Sequence, residues 1–596
     1  MKNRELAKIF YDISLYLEME GAAFKPYAYE KAALNLASLS ESVEGIYKRG
    51  GVKALKEIPG VGESIAEKIE EYLKTGKVKE YETFRKKMPV NIDELSAVEG
   101  IGPKMMGDLY KQLKIKNLDD LGKAAKAGKI RDLPNFGEKT EKNILQGIEF
   151  LKRDKGRFLL GDILPVVNEI IANLKSLKEV EKISPAGSVR RMKEAIGDAD
   201  ILVISSNPKK IISYFVSLPD IEKIWGEGPT KASIRLKDGF DVDLRVLPDV
   251  KEFGSALQYF TGSKEHNIAL RKIAIEKGMK LNEYGLFQEI KNQKSKIKIT
   301  NQKSKIIKTK WRLIASENEE EVYRALGFPY FEPELRENTG ELEAALKGKL
   351  PRVISYQDIK GDLHVHSNWD GGADSIEEIA QAAQEMGYEY IGISDHTKFL
   401  KIEHGLDEKQ LLQQKKEIDK LNSLFIILNS SFKILQGCEA NIMSDGSIDI
   451  KDEALARLDY VIAGVHSQMK MSEGEMTERI IKAMKNPNVD IISHPTGRLI
   501  QKRDEYRIDF DRILKVARET GTILEINSFP ERLDLKDSNI KKAGAAGVKM
   551  VINTDAHHLD QLRFMELGIS QARRGWAEKK DIINAWPLEK LLKFFK

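Results

Sequence analysis

At 596 residues the chain is too long for one ordinary domain, and length alone suggests roughly three to five. Its composition is 41% hydrophobic and 32% charged, with no uninterrupted apolar stretch of membrane-spanning length and no leader-like pattern at Met1-Lys-Asn-Arg-Glu5, so a cytoplasmic protein with no membrane partner is expected. The lone cysteine, Cys438, excludes an intrachain disulfide and fits a reducing compartment, while a net charge of +5 is too small to signal a nucleic-acid partner without local clustering of Lys and Arg.

The first stretch reads as helices and carries Leu55-Lys-Glu-Ile-Pro-Gly-Val-Gly-Glu-Ser-Ile-Ala-Glu-Lys-Ile69. A second version follows at Leu95-Ser-Ala-Val-Glu-Gly-Ile-Gly-Pro-Lys104, and a looser third at Leu133-Pro-Asn-Phe-Gly-Glu-Lys139. An apolar residue, Gly-x-Gly and a helix start make a helix-hairpin-helix pattern. The glycines permit the tight turn, and free N–H groups at the helix start hold a DNA phosphate. Gly60, Gly62, Gly100 and Gly102 are therefore candidate DNA contacts. One such element could be an ordinary turn between helices, but repetition favours sequence-independent DNA binding.

Next comes Gly187-Ser-Val-Arg-Arg-Met-Lys-Glu-Ala-Ile-Gly-Asp-Ala-Asp200, then the apolar run Ile201-Leu-Val-Ile204. It reads as a phosphate-handling turn leading into a strand. Residues two apart on a strand share a face, so Asp198 and Asp200 present both carboxylates to one point. Such a pair suits Mg²⁺ or Mn²⁺, hard cations held by carboxylates plus the substrate's own phosphates. Asp243, in Gly239-Phe-Asp-Val-Asp-Leu-Arg-Val246, offers a third carboxylate from a β-like run that could lie beside the first. A lone Asp-x-Asp is more often a turn. The Gly-Ser turn and the guanidinium forks of Arg190 and Arg191 shift the reading toward a triphosphate site.

Here the chain resembles the family X DNA polymerases, relatives of polymerase beta, from Gly187 through Asn282-Glu-Tyr284 and including Tyr259-Phe-Thr-Gly-Ser263, Asn267 and Arg271. The resemblance implies catalytic metal ligands at Asp198, Asp200 and Asp243, and triphosphate contacts from Arg157, Gly187, Ser188, Arg191 and Gly197. It places Tyr259 and Phe260 beside the incoming sugar, with Gly262 allowing close backbone approach, Asn267 reaching the minor-groove edge and Arg271 the template side. In the N-terminal domain, Lys68 matches the Schiff-base lysine of a deoxyribose phosphate lyase, and Lys25 and Tyr29 match its phosphate- and sugar-side neighbours. A lysine on a helix is otherwise unremarkable, and Ser64 stands where the animal enzymes carry a basic residue.

The duplication Asn292–Thr300 and Asn301–Thr309, rich in lysine and free of acids, reads as a tolerated insertion in a solvated loop. Leu421–Ser431 reads as another. Glu332-Pro-Glu-Leu-Arg-Glu337 and the polar stretch to Tyr356 read as a linker. Of nine histidines, all except His266 lie beyond residue 360. His364 and His366 sit two apart at a strand end, and further candidates follow short apolar runs: His396, Glu439, His466, His494, Asp555 and His557. Ligand-type residues at repeated strand ends suggest a (β/α) barrel of fewer or more irregular strands than eight, with a multinuclear metal cluster at their carboxyl ends.

This segment resembles the PHP (polymerase and histidinol phosphatase) domain, which implies bound Zn²⁺, Mn²⁺ or Fe and phosphoester hydrolysis. The family usually has Ser-Asp-Gly where this sequence has Asp370-Gly371-Gly372, so Asp370 is the candidate ligand after a one-residue shift. Arg498 reads equally as a phosphate clamp or a surface arginine, and His404 and His558 fall outside the pattern.

The fold expected is multidomain α+β and α/β: a helix-hairpin-helix, lyase-like domain (1–85), a second helix-hairpin-helix domain (86–156), a nucleotidyltransferase palm with a mixed sheet (157–250), a nascent base-pair subdomain (251–336), a linker (337–358) and a distorted PHP (β/α) barrel (359–596). The function expected is a DNA-directed DNA polymerase filling short gaps with dNTPs on gapped or primer-template DNA, with a PHP 3′→5′ exonuclease. The resemblance also allows abasic-site cleavage or the lyase. A monomer is the default expectation, the oligomeric state being open. The rival readings are a small-molecule PHP phosphoesterase fused to a non-DNA nucleotidyltransferase, and a DNA end-binding scaffold. Duplicated phosphate grips argue against the first, and intact ligand sets against the second.

Overall fold

A computed structural model describes residues 2–595 apart from 23–24, 40–41, 59, 97, 99–100, 135, 154–155, 291–310 and 429. Gly100 and both copies of the lysine-rich duplication lie outside the described residues. Two compact units emerge: Met1–Lys155 with Gln501–Asp504, and Gly156–Ile500 with Glu505–Lys596. Among the described residues, no helix is long and apolar enough to cross a membrane.

The first unit is helical. Its core gathers Phe10, Ile13, Leu36, Ile65, Ile69, Leu95, Met106 and Leu109. Gly62 and Gly102 are the N-caps of helices Glu63–Thr75 and Pro103–Leu113, and neither helix start is capped by a side chain. The first-turn N–H groups are thus left for an outside acceptor. Val61 and Ile101, between each pair of glycines, are buried and anchor the hairpins.

The second unit begins with a five-stranded mixed sheet in the order Lys182–Pro185, Asp198–Ile204, Asp241–Leu247, Lys231–Leu236, Ile221–Glu227. Asp198–Ile204 and Asp241–Leu247 run parallel, with Asp200 opposite Asp243, as the sequence pattern suggested. Alternation then sorts the strand. Ala199, Ile201 and Val203 pack with helix Leu160–Lys175 in one core, while Leu202 and Ile204 pack with Ala256 and Leu257 of helix Phe253–Thr261 on the other face. The acids thus start the face that the second helix closes further along. Helix Lys264–Glu276 and an antiparallel sheet of Met279–Asn282, Gly285–Glu289 and Trp311–Ala315 follow.

The stretch expected as a linker is packed: Glu341 is buried against His266 at 2.7 Å, and Ile354 joins the barrel core. Beyond it, Gly361–Val365, Tyr390–Ile393 and Lys433–Gln436 form one parallel sheet. Glu439–Asn441, Ile462–Gly464, Ile491–Ile492, Ile523–Asn527 and Met550–Asn553 form another. Parallel bridges His396↔Glu439 and Val365↔Ala556 join the two sheets into a closed barrel. Lys433–Gln436 and Glu439–Asn441 are halves of one stave, so the eight strands make seven staves, fewer than eight as expected. Leu421–Ser431, read as an insertion, begins within helix Glu408–Ile427.

The barrel and the palm share a core. Leu533 and Leu567 of the barrel pack into the apolar cluster of Leu160, Ile163 and Val167, and a side chain on Gly161 would strike Pro530.

Candidate active sites

At the palm, Asp198, Asp200 and Asp243 converge at the start of two paired strands. Burial, then the charges of Asp198 and Asp243, push the Asp200 carboxyl up to about 7. Burial and the neighbouring Asp243 and Asp241 raise Asp198 as well. Such crowding is stable only if positive charge joins it. Lys231 supplies one cation, 2.9 Å from Asp243. Asp241 is occupied elsewhere, in a bidentate pair with Arg235 at 2.7 and 2.8 Å.

The turn Gly187–Arg190 presses on this group. Gly187 has φ 57°, and a side chain there would meet the Asp200 carboxylate, so glycine is required twice over. Ala186 N–H donates to the Asp200 carbonyl at 2.8 Å. Phe260 lines the cleft beside Asp200, Asp243 and Lys231, with Tyr259 packed edge-on against it at 5.3 Å. Space beside Gly197 is open, Arg157 is exposed, and Arg157 lies 3.5 Å from the Ala195 carbonyl. Asn267 is turned inward: its amide donates to the Tyr259 carbonyl and accepts from Gln258, each at 2.7 Å. Arg271 donates to the Asn267 carbonyl at 3.3 Å. Gly262 lies against Arg191, whose guanidinium is held by Glu337 and the Thr261 carbonyl. The two arginines differ from the paired-fork reading, because Arg190 is committed to Glu319 in a bidentate pair.

In the N-terminal unit, Lys68 lies 2.7 Å from the Ser64 hydroxyl and 3.2 Å from Glu80, and its ammonium sits over the Tyr29 ring. Tyr29 donates to the same Glu80 at 2.7 Å. Lys25 starts helix Lys25–Ser38 on the surface. Glu80 was not evident in the sequence, being one acid among many on a charged helix.

The barrel gathers every histidine-domain candidate into one cluster. Glu439 lies at its centre: Oε1 is 3.0 Å from His494 and 3.2 Å from His466, while Oε2 is 3.1 Å from His396 and 3.5 Å from His364. Asp555 Oδ1 is 3.3 Å from His366 and 3.6 Å from His364. His557 stacks on His366 with ring centres 4.0 Å apart. Among the described residues four sets have the spacing of cation sites: His366, His396, His557; His364, His366, Asp555; His396, Glu439, His466; and His366, Asp370, Asp395. Two observations fit bound metal. The Nε2 atoms of His364 and His366 are buried without a hydrogen-bond partner, and both face the carboxylates of Glu439 and Asp555. The imidazole and carboxylate donors are those of zinc, manganese or iron sites.

Charge balance points the same way. Burial works against a charge on His364, yet Glu525, Glu439 and Asp555 raise it well above its ordinary value. His396, likewise opposed by burial, is lifted to about 10 by Asp370 and Glu439. Protons thus stand in where a cation would. Burial, with Arg532, lowers His494 to about 4, and burial, with His366, lowers His557 to about 4.

Asp370 lies behind the imidazoles: its Oδ2 is 2.8 Å from Nδ1 of both His366 and His396. A side chain at Gly371 would collide with the Glu403 carboxylate. Glu525, missed in the sequence, is 2.7 Å from His364 Nδ1 and accepts from Asn553, so it fixes the ring that points its other nitrogen inward. A carboxylate inside the apolar run Ile523–Asn527 was the available signal. Arg498, read as a phosphate clamp or a surface arginine, is not on the surface. It is buried and pairs with Glu194 of the palm at 2.8 Å. His404 is exposed and His558 caps a helical turn, both apart from the cluster.

Fold and sites together define a polymerase-beta-type nucleotidyltransferase joined to a PHP hydrolase barrel, an enzyme with two centres. Residues 1–78 match the helix-hairpin-helix domain family, 92–149 the SAM-like helix-hairpin-helix tandem, 256–337 the DNA polymerase beta thumb and 362–529 the PHP domain. The chain is 36% identical over 599 residues, covering 100% of both chains, to the DNA polymerase/3′-5′ exonuclease PolX of Bacillus subtilis (strain 168). It therefore belongs to the PolX family of DNA polymerases. Over part of its length the chain is similar to a probable phosphatase of Thermoanaerobacter sp. (strain X514), 34% identical over 34% of this chain and 82% of that one. A probable phosphatase of Acetivibrio thermocellus is 31% identical over 33% of this chain and 78% of its own length.

Proposed function

We propose that this polymerase fills short gaps in DNA during repair, adding dNTPs at the palm, and that the PHP cluster removes nucleotides from 3′ ends. The observation that carries the reading is the register of Asp200 on Asp243, which with Asp198 makes three carboxylates on one open sheet face beneath the phosphate turn. Divalent cations held by Asp198, Asp200 and Asp243 would neutralise charge at the triphosphate and favour ionisation of the primer hydroxyl. The chain's own residues do the rest. The turn at Gly187 and Ser188 offers backbone donors to phosphate, Arg191 offers a guanidinium, and Phe260 with Tyr259 walls the cleft. Uncapped helix starts at Gly62 and Gly102 support a grip on backbone phosphate of any sequence.

At the barrel, His364, His366, Asp370, His396, Glu439, His466, His494, Asp555 and His557 are the proposed metal-binding set. The metals would polarise a phosphodiester and supply a nucleophile at neutral pH. Glu525 holds the His364 ring in place, and all of the set except His466 and His557 is buried.

A second activity is favoured by Glu80, which touches both Lys68 and Tyr29. In a lyase step the Lys68 nitrogen, its proton taken by Glu80, would attack C1′ of the sugar aldehyde, water would leave to give the Schiff base, and loss of a C2′ proton would expel the 3′ phosphate.

One assay tests these readings: primer extension and degradation on one-nucleotide-gapped DNA with a 5′ phosphate, with Mg²⁺ or Mn²⁺, plus a borohydride arm on 5′-deoxyribose phosphate ends. Extension to the gap boundary, loss of 3′ nucleotides and a Lys68-dependent covalent adduct are expected. Extension unaffected by a downstream strand or its 5′ phosphate would count against gap filling.

A further inference from the structure

Arg191, the guanidinium proposed for the triphosphate, already holds a carboxylate. Its Nε donates to Glu337 Oε1 at 2.9 Å. The same oxygen accepts from Arg574 at 3.0 Å, and Lys193 stands 3.9 Å from the other. Arg574 ends helix Met565–Arg574 of the PHP barrel. It also donates to the Arg191 carbonyl at 3.0 Å and to Asp537 at 2.7 Å. Arg574 is 7% exposed, so these bonds are sheltered from water. A barrel side chain thus reaches both the backbone of the phosphate turn and the carboxylate that occupies its arginine.

A triphosphate arriving at Gly187 and Ser188 competes with Glu337 for the Arg191 fork. Had Arg191 been the sole partner of Glu337, giving it up would strand a mostly buried carboxylate, which is strongly unfavourable. Arg574 removes that obstacle, being a second cation already bonded to the same oxygen. Its own charge stays balanced, because Asp537 remains on its other nitrogen.

We propose that Arg574 is a positioning residue of the polymerase nucleotide site: it keeps Glu337 neutralised and the phosphate turn braced, so that Arg191 passes from Glu337 to the incoming triphosphate. The proposal rests on the polymerase reading of Arg191. It makes the hydrolase barrel a working part of nucleotide binding.

The test is steady-state dNTP incorporation on one-nucleotide-gapped DNA by the full-length protein and its R574Q, R574K, E337Q, E337Q/R574Q and R191Q variants. R574Q is expected to raise KM for dNTP about ten-fold with a much smaller change in kcat, the scale of one partly buried charge interaction. E337Q, which removes the competitor, lowers KM. The double variant returns to the E337Q value, and R574K falls between wild type and R574Q. Equal losses in KM and kcat for R574Q that E337Q does not rescue would overturn the proposal, leaving Arg574 a structural strut. If R574Q does not fold, E337Q decides: a KM unchanged or raised overturns the exchange. R191Q separates the two levels. An unchanged KM there refutes the triphosphate role of Arg191 itself, whereas a raised KM in R191Q with a wild-type KM in R574Q refutes only the exchange.

Discussion

The two centres solve opposite electrostatic problems. The palm collects three carboxylates on an open sheet face with Lys231 as a neighbouring cation, and Asp200 is driven to about 7 by burial and by its neighbours. The barrel buries its acids among imidazoles, and Glu439, Asp370 and Asp555 favour the charged forms of His364, His366 and His396. The palm acids would therefore gain most from the metal and nucleotide proposed for them, whereas the barrel's donors already hold one another. An enzyme that must release pyrophosphate at each addition gains from a site that its ligands help to build. A hydrolase cluster that keeps its metals gains from one that is preformed.

The sharpest break between the centres is expected from deleting a ligand in each. Asp198→Ala or Asp243→Ala should reduce nucleotide addition about a thousand-fold or more, on the order of 4 kcal/mol of barrier, while primer digestion and DNA binding persist. His364→Ala or Glu439→Ala should do the reverse, and parallel extension and digestion assays on each folded variant check it. If one mutation silences both, the centres are not independent.

Metal loading should differ in its response to acid. Because carboxylates raise His364 and lift His396 to about 10, the metal-free barrel carries protons that a cation must displace. Loading should weaken steeply from pH 8 to pH 6, by about ten-fold per pH unit for each proton released. Weakly buffered calorimetry or a pH indicator reads those protons directly. Uptake of metal at pH 7.5 without proton release would contradict this charge balance.

The smallest effect expected is on stability. The folded-state pKa of Asp200, about 7, lies above its ordinary 3.8, so the folded chain binds the proton more tightly. Without metal, stability from this group is present near pH 4 and is lost as pH rises through 7. Asp200→Asn should raise the metal-free melting temperature of the second unit by about 2 to 4 °C at pH 8. The gain should shrink toward pH 5 and vanish when Mg²⁺ stabilises the wild type. A variant that melts lower at pH 8 would show that Asp200 makes contacts worth more than its repulsion costs.

Much of this was readable because local spacing carries geometry. Alternation along a strand put Asp198 and Asp200 on one face, and repeated short apolar runs ending in histidine, aspartate or glutamate announced a barrel rim. Gly-x-Gly before a helix announced an uncapped start. What escaped were contacts between segments distant in sequence. Nothing near Arg498 names Glu194, nothing near Lys68 singles out Glu80, and Arg190 looks as suited to phosphate as Arg191 until Glu319 is seen against it. The polar composition of 337–358 suggested a tether, yet its buried Glu341 and Ile354 are spaced too widely to form a pattern.

The core shared through Leu533 and Leu567 bears on how the protein is made. Synthesis runs from the amino end, so the palm strands leave the ribosome long before the side chains that complete their packing. Until the distal segments emerge, Leu160, Ile163 and Val167 remain partly uncovered, a nascent surface suited to chaperone capture. The packing of helix Leu160–Lys175 is thus completed only once the barrel segment carrying Leu533 and Leu567 has been made.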